Sequence, residues 1–300
     1  MSETVQIIEV GPRDGLQNEK RLISTDDKLA LIDQLIDAGV RRIEAVSFVN
    51  PRMVPNMADA DEVMRGVPRH PGVSYIGLAL NTRGVERAIA AGVDEINFVL
   101  PATDAFAHAN QNTTVEVLLS SLAQSAPLAA AARIPLSVTI AVAFGCPYQG
   151  AVPTDQVLGV AQRALDAGHL AELALADTIG CGVPWQSSAL FAAAGEITEV
   201  PLRAHFHETR HTALANTYAA MAVGVRRFDS SVGGLGGCPF APGAAGNIST
   251  EDLAWMLTGA GFEHGVDLEK VIAAGRAICD LVGVLPRSGL AQAGVFPPAR

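Results

Sequence analysis

Two short polar segments combine residue types that bind metals and act on substrates. In Gly11–Gly15, Arg13 offers a rigid set of donors for a carboxylate or oxyanion, and Asp14 offers a hard oxygen ligand or a proton acceptor. Further on, His205 and His207 stand two residues apart, so that on a β-strand both imidazoles point to the same face. Each segment also has a simpler interpretation. Gly11–Gly15 could be a surface turn with an ion pair, and His205 and His207 could be two partly exposed histidines near the end of a strand.

Two more segments follow the last predicted strand and are rich in glycine. In Ser231–Pro239, the thiol of Cys238 could serve as a nucleophile, as an acid, or in no chemical role, and its spacing alone favours the last. The segment is not a dinucleotide-binding fingerprint, because Pro239 stands where the last glycine of that motif belongs. In Pro242–Asp252, Asn247 supplies a neutral carbonyl oxygen.

Apolar, β-branched runs alternate with helical patterns along the whole chain and define the elements that carry these segments. The predicted strands are Val5–Val10, Arg42–Ser47, Val73–Ala79, Glu95–Leu100, Leu136–Ala143, Ala171–Ala176, Leu202–His207 and Arg227–Ser231. The predicted helices are Thr25–Asp37, Asp59–Arg65, Arg83–Ala91, Thr114–Ala131, Thr154–Ala167, Trp185–Gly195, His211–Val223, Thr250–Gly259 and Leu268–Val282. Glycines at Gly39, Gly92, Gly168 and Gly224 are expected to end helices in the left-handed conformation.

Eight strand–helix units favour a closed parallel barrel over an open, doubly wound sheet. We therefore predict an α/β protein with a single (β/α)₈ TIM barrel and an additional C-terminal helix. Residues 1–300 are expected to form one catalytic domain, with the barrel over about 4–260 and the C-terminal helix over about 267–283.

A closed barrel brings the four polar segments together, because strand eight lies beside both strand seven and strand one. Asp14, the two histidines His205 and His207, Cys238 and Asn247 then meet on one sector of the rim. One carboxylate, two imidazoles and one amide oxygen suit Mg²⁺ or Mn²⁺, with Zn²⁺ and Co²⁺ as alternatives.

Composition and charge exclude several classes of function. The chain has 31 acidic and 21 basic residues, a net charge of −10, which argues against a general nucleic-acid binder but not against a small anionic ligand. Four cysteines without a C-x-x-C pair favour a reducing, cytoplasmic location over a disulfide scaffold. The sequence shows neither a signal peptide nor an uninterrupted membrane-spanning run, so no membrane partner is expected.

Several segments resemble the 3-hydroxy-3-methylglutaryl-CoA lyases, members of a metal-dependent TIM-barrel superfamily. They are EVGPRDGLQNE at Glu9–Glu19, SFVNPRMVPNMAD at Ser47–Asp59, the His205-x-His207 pair, and SSVGGLGGCPFAPGAAGN at Ser230–Asn247. The resemblance extends from about Val5 to Val282, and its glycine-rich loop is specific to the lyase branch of the superfamily.

The resemblance implies a role for each matching residue. Asp14, His205, His207 and Asn247 would bind a divalent metal. Arg13 would stabilise the thioester oxygen as it becomes an enolate, and Cys238 would deliver a proton to that enolate. Two further catalytic positions are expected: Glu44 would orient groups around Arg13, and Asp177 would shape the site after strand six. Gln17 and Ser47 would contact the substrate together with Arg13.

The implied reaction is the cleavage of 3-hydroxy-3-methylglutaryl-CoA to acetyl-CoA and acetoacetate, with Asp14 or His205 as the general base. The chain departs from the family pattern at Glu208–Thr212 and at Phe240. These departures leave the acyl group open, so a related thioester such as citramalyl-CoA is an alternative substrate. A 2-oxo-acid aldolase or synthase and a non-catalytic binding barrel are further alternatives. Relatives of this kind also imply a homo-oligomer.

Overall fold

The barrel of this protein is closed by eight parallel strands that follow one another in chain order. The computed structural model describes residues 3–237 and 246–296. The strands are β1 (Gln6–Glu9), β2 (Arg42–Ser47), β3 (Ser74–Ala79), β4 (Glu95–Pro101), β5 (Leu136–Ala141), β6 (Glu172–Asp177), β7 (Leu202–Phe206) and β8 (Arg227–Ser230). Strand β8 pairs with β1 and closes the ring: Gln6 lies opposite Arg227 at one end of the pairing, and Glu9 lies opposite Ser230 at the other. The predicted TIM barrel is confirmed.

Helices cover the outside of this barrel. They are α1 (Thr25–Asp37), α2 (Ala60–Gly66), α3 (Thr82–Ala91), α4 (Asp104–Gln111), α5 (Val115–Ala132), α6 (Thr154–Asp166), α7 (Pro184–Ile197), α8 (Ala213–Ala222), α9 (Thr250–Gly259), α10 (Leu268–Val282) and α11 (Gly289–Ala293). The sequence did not predict α4 or α11, which are eight and five residues long.

Three of the four glycines predicted to end helices adopt the left-handed conformation, with φ of 95° at Gly39, 73° at Gly92 and 98° at Gly224. Gly168 does not, and that prediction was wrong. A Cβ atom at Gly168 would lie 2.5 Å from the Cβ of Ala126 in α5. The glycine is therefore explained by close packing between the loop that follows α6 and helix α5, rather than by backbone conformation.

Helix α5 is long and apolar enough to cross a membrane by length and composition, with a mean hydropathy of 1.3 over 18 residues. It contacts β4, β5, α3 and α6, which is the position of a barrel helix. Its buried face includes Leu118, Leu119 and Leu122. This face packs against the barrel strands and the neighbouring helices.

Ion pairs fill the base of the barrel. Arg42, Glu95, Glu172 and Arg227 are the first residues of the four even-numbered strands. Glu172 accepts hydrogen bonds from Arg42 at 2.9 Å and from Arg227 at 2.8 Å, and Arg42 also bonds Glu95 at 2.6 Å. Arg203 of β7 is fully buried and lies 3.2 Å from the same Glu172. The base of the lumen is thus polar, and its buried arginines and glutamates contact one another as ion pairs.

Above this base, toward the rim, the even-numbered strands contribute a second layer of side chains to the lumen. Two residues further along the strands stand Glu44 on β2, Asn97 on β4, Ala174 on β6 and Asp229 on β8, all of them buried. In barrels of this class, alternate strands contribute the side chains of one layer. This layer places two carboxylates and an amide directly beneath the polar segments that the sequence singled out.

Candidate metal centre

Three predicted metal ligands meet at one point of the rim. The ligand atoms of Asp14, His205 and His207 all lie within 4.8 Å of one another. The ring centroids of the two histidines are 5.0 Å apart, and Nε2 of His207 is 3.6 Å from Oδ2 of Asp14. A carboxylate and two imidazoles at this spacing could hold a divalent metal ion.

Local backbone geometry brings these groups together. After β1 the chain makes a single π-helical turn over Gly11–Gly15, in which the carbonyl of Val10 accepts from the amide of Asp14 at 2.7 Å. His205 lies on β7, and His207 follows the strand and forms an isolated antiparallel bridge with Asn247. The turn therefore carries Asp14 of the first unit, and the bridge carries Asn247 of the last unit, to the two histidines.

Asn247, the fourth predicted ligand, lies beside this cluster. Its Nδ2 donates to Oδ2 of Asp14 at 2.7 Å and to the carbonyl of Leu235 at 3.1 Å. Its Oδ1 is buried and has no hydrogen-bond partner among the residues that the structure describes, and the same holds for Nδ1 of His207. A buried polar atom without a partner is costly, and a cation beside the free amide oxygen would satisfy it. The four residues predicted as ligands thus fit a divalent cation.

The charges around Asp14 keep this residue ionised. Burial alone raises the pKa of Asp14, but the guanidinium of Arg13 and the two imidazoles outweigh it and hold the pKa well below its usual value. Burial lowers the pKa of His205, and Asp229 and Asp14 reverse that effect, so that it is raised overall. Asp14 is therefore an anion that can hold a cation.

Arg13 is clamped between two carboxylates beside this cluster. Its Nη1 donates to Oδ1 of Asp14 at 2.5 Å, and its Nε and Nη2 both contact Oε1 of Glu44. The other oxygen of Glu44 accepts from Nδ2 of Asn97 at 2.8 Å. Burial lowers the pKa of Arg13, but Glu44 and Asp14 more than compensate, and it is raised overall. The result is a cation of fixed orientation, as expected for a group that meets developing negative charge.

The remaining predicted site residues occupy different places. Asp177 is buried at the end of β6, where it accepts from the backbone amides of Cys181 and Gly182, each at 2.9 Å, and so shapes the loop after β6. Ser47 is buried at the end of β2, and its hydroxyl has no partner within the described part of the chain. Gln17 follows the π-helical turn and is partly exposed. Cys238 lies outside the described residues.

Three buried carboxylates that the sequence analysis missed lie around this centre. Asp229 on β8 contacts Nδ1 of His205 at 3.1 Å. Glu9 accepts from the amides of Gly11 at 2.7 Å and Val232 at 3.0 Å. The third is Glu251, which accepts from the amide of Gly233 at 2.8 Å. An acidic residue in or next to a strand that is otherwise apolar was the available signal for the first two.

Burial dominates the titration of two of these groups. It raises the pKa of Glu9 to about 7 and that of Glu251 to about 8, despite the backbone donors that both receive. For Asp229 the charge of Arg203 and the bond to His205 outweigh burial, so that its pKa is lowered. One carboxylate faces the metal ligands as an anion, while the other two hold loop backbone with a weakened tendency to ionise.

The chain is similar to known proteins over nearly its whole length. The sequence profile of the HMGL-like family matches residues 4–278. Hydroxymethylglutaryl-CoA lyase of Pseudomonas mevalonii is 44% identical over 294 residues, covering 97% of each chain. Two solved lyase structures superpose closely: the enzyme from Pseudomonas aeruginosa at a TM-score of 0.93, 40% identity and 98% coverage of both chains, and the enzyme from Acinetobacter baumannii with coenzyme A and 3-methylmalate at 0.94, 38% identity and coverage of 99% of this chain and 97% of that one.

Proposed function

This chain belongs to the HMGL-like family, and on that premise we propose that it is a carbon–carbon lyase that cleaves 3-hydroxy-3-methylglutaryl-CoA to acetyl-CoA and acetoacetate. The observation that carries the proposal is a buried arginine, bonded to two carboxylates, directly beside a cluster of two imidazoles, a carboxylate and an amide oxygen that has no partner in the described part of the chain. Such a site can both help to ionise a hydroxyl and stabilise an enolate.

The ligands proposed for the cation are Asp14, His205, His207 and Asn247. We propose Mg²⁺ or Mn²⁺ because half of this set is oxygen, with Zn²⁺ and Co²⁺ as the alternatives. A bound divalent cation supplies positive charge that favours ionisation of the 3-hydroxyl of the substrate.

Proton transfer starts the reaction. Asp14 or His205 accepts the proton of the 3-hydroxyl, the C2–C3 bond breaks, and its electron pair moves to C2 as C3 becomes the ketone of acetoacetate. Arg13 donates to the thioester oxygen, which takes up the charge of the acetyl-CoA enolate. Because Glu44 and Asp14 already hold the guanidinium, little reorganisation is needed at this step.

The enolate then takes a proton at C2, which gives acetyl-CoA. We assign this proton to the thiol of Cys238 on the basis of the family resemblance, since Cys238 lies outside the described residues. Gln17 and Ser47 are proposed to contact the substrate. The hydroxyl of Ser47 is buried and has no partner among residues 3–237 and 246–296, which supports that role for Ser47.

The activity assay uses a panel of thioesters. Purified protein with Mn²⁺ or Mg²⁺ is expected to release acetyl-CoA from 3-hydroxy-3-methylglutaryl-CoA and to lose this activity with a chelator. Citramalyl-CoA is the comparison substrate. Arg210, one of the departures that raised this alternative, donates to the carbonyls of Ile179 at 3.1 Å and Gly180 at 2.7 Å, so its guanidinium is already bound to the loop after β6. A higher kcat/KM for citramalyl-CoA, or no turnover of either thioester, would contradict the proposal.

Two further properties belong to this proposal. We propose that the protein is a homo-oligomer, which light scattering after size-exclusion chromatography measures directly, and that it acts in the cytoplasm. Acyl-CoA is the only partner class proposed, and neither nucleic acid nor membrane is expected to bind.

A further inference from the structure

We propose that Asp229, supported by Arg203, is a positioning residue that holds the ring of His205 so that Nε2 faces the metal. This inference rests on the metal site of the proposed function. It concerns two buried residues inside the barrel that the reaction sequence above does not use.

The register of the barrel sets the first contact. His205 on β7 and Asp229 on β8 are direct partners across the parallel pair, so their side chains lie on the same side of the sheet. Nδ1 of His205 lies 3.1 Å from Oδ2 of Asp229. An ionised carboxylate can only accept a hydrogen bond, so Nδ1 carries the proton of this bond. Nε2 is then the nitrogen whose lone pair is free for a cation. With both nitrogens engaged, His205 has no site left to accept a proton, so this arrangement favours Asp14 of the two candidate bases.

A buried arginine supplies a counter-charge beside the second oxygen of this carboxylate. Nε of Arg203 lies 3.5 Å from Oδ1 of Asp229, and Arg203 has no exposed surface. A buried carboxylate needs such a counter-charge, because desolvation otherwise disfavours its charged form. This contact is an ion pair without a hydrogen bond, since Oδ1 of Asp229 and Nε of Arg203 have no hydrogen-bond partner among the described residues. One oxygen of Asp229 thus faces the charge of Arg203, while the other is bonded to His205.

The arginine is itself fixed from the base of the barrel. Its Nε lies 3.2 Å from Oε1 of Glu172, and its Nη2 donates to the hydroxyl of Thr139 at 3.3 Å. Glu172 in turn accepts from Arg42 and Arg227. A continuous line of charges therefore connects the ion-paired base of the lumen to one metal ligand at the rim. This connection gives a reason for an arginine in the lumen that would otherwise be costly to bury.

The test is the affinity of the substrate-free protein for Mn²⁺, measured from the electron paramagnetic resonance signal of the free ion. Asp229→Asn keeps the shape of the side chain but removes the charge that holds Nδ1–H, and we expect it to weaken Mn²⁺ binding about 10- to 100-fold. The matched control is Glu95→Gln, at the far end of the same charge network, where Glu95 contacts Arg42, Ser74 and neither His205 nor Asp229. We expect its Mn²⁺ affinity to stay within about twofold of the wild type.

A second measurement does not depend on the folding of any variant. In wild-type protein loaded with Mg²⁺, long-range ¹⁵N–¹H spectra are expected to show His205 protonated at Nδ1, with the signal assigned by its loss in His205→Gln. Protonation at Nε2 instead would overturn the inference, as would Mn²⁺ affinity of Asp229→Asn equal to that of the wild type. A wild-type protein that binds no Mn²⁺ would overturn it as well. Because neither readout uses substrate, a protein that binds Mn²⁺ normally but fails to cleave the thioester would contradict the proposed function alone.

Discussion

At the scale of single residues, Asp14 contributes both to binding of the cation and to the position of Arg13, which stabilises the enolate. Asp14 contacts the guanidinium with Oδ1 and the amide of Asn247 with Oδ2, so it links the cation site to the enolate site. Glu44 contacts only the arginine and Asn97 among the described residues, and so it acts on Arg13 alone. Changes at Arg13 and at Asn247 should therefore affect different measured quantities.

Replacement of Arg13 by glutamine is expected to lower kcat by about 10²- to 10³-fold, because one preorganised donor to the developing oxyanion is lost. KM should change much less, since the thioester oxygen carries its negative charge only as the bond breaks. Steady-state kinetics on the thioester measure both constants. Arg65→Gln is the control, because Arg65 is exposed and pairs with Glu62 on the surface of α2. Equal losses in kcat for the two variants would rule out the assigned role.

Replacement of Asn247 by alanine should act on the cation instead. The variant removes the buried amide oxygen that has no protein partner in the described part of the chain, together with the bond to Asp14. We expect the Mn²⁺ concentration for half-maximal activity to rise by about 10- to 100-fold, with kcat partly restored at saturating Mn²⁺. An activity titration with Mn²⁺ measures this shift. If the curve kept its midpoint and lost only amplitude, Asn247 would not be a ligand.

At the scale of elements, buried carboxylates attach the ends of strands β1 and β8 to their loops. Glu9 at the end of β1 bridges the amides of Gly11 and Val232, and Glu251 in α9 holds the amide of Gly233, where φ is +68°. A Cβ atom at Gly275 in α10 would lie 2.0 Å from Oε1 of Glu251, so α10 can approach this carboxyl closely only through a glycine. These contacts set where the glycine-rich segment leaves the barrel.

The stability of the fold should depend on the ionisation of Glu251. Its pKa is raised by burial from 4.5 to about 8, so the folded state binds more protons than the unfolded state between these values. The stabilisation from the neutral acid is complete below about pH 4.5 and is lost as the pH rises through about 8. Glu251→Gln mimics the neutral acid, and its free energy of unfolding relative to the wild type should therefore improve by on the order of a few kcal/mol between pH 5 and pH 8.

Denaturant unfolding at the two pH values measures this difference. Glu199→Gln serves as the control, because Glu199 is exposed in the loop between α7 and β7 and should show no such trend. A pH-independent difference between Glu251→Gln and the wild type would show that the carboxyl is already ionised at pH 5.

Sequence patterns predicted the large elements of this protein and left the connections between them open. The positions of Asp14, His205, His207 and Asn247 followed from counting eight units, because a closed ring makes its first and last units neighbours. Asp229 could not be found in that way, because its partners are a ring nitrogen and a guanidinium from the neighbouring strand, and these pairings exist only once the register is known. Gly168 was misinterpreted for a similar reason, because close packing against Ala126 leaves no mark on local sequence.

At the scale of the whole molecule, the candidate cation site lies where the barrel closes. Asp14 follows β1, His205 lies on β7, and Asn247 precedes α9, so one ion would tie the start of the chain to its last units. The same ion offsets part of the net charge of −10 at the place where an anionic thioester must bind. Catalysis and the integrity of the closed ring are then expected to depend on the same ligands.

Metal removal should consequently lower the thermal stability of the entire domain rather than loosen one loop. Binding to the folded state alone adds about 2.7 kcal/mol at a cation concentration of 100 times Kd, which for a chain of this length corresponds to a rise in Tm of about 4 °C. Calorimetry of chelator-treated protein with and without Mn²⁺ measures the rise, and Asp14→Asn should abolish it. Glu208→Gln is the matched control, because Glu208 follows His207 and bonds the amide of Ala213 rather than any ligand. A rise in Tm that persisted in Asp14→Asn would show that the stabilising cation binds elsewhere. We expect a single cooperative shift because the cation would connect the first and last units of the barrel.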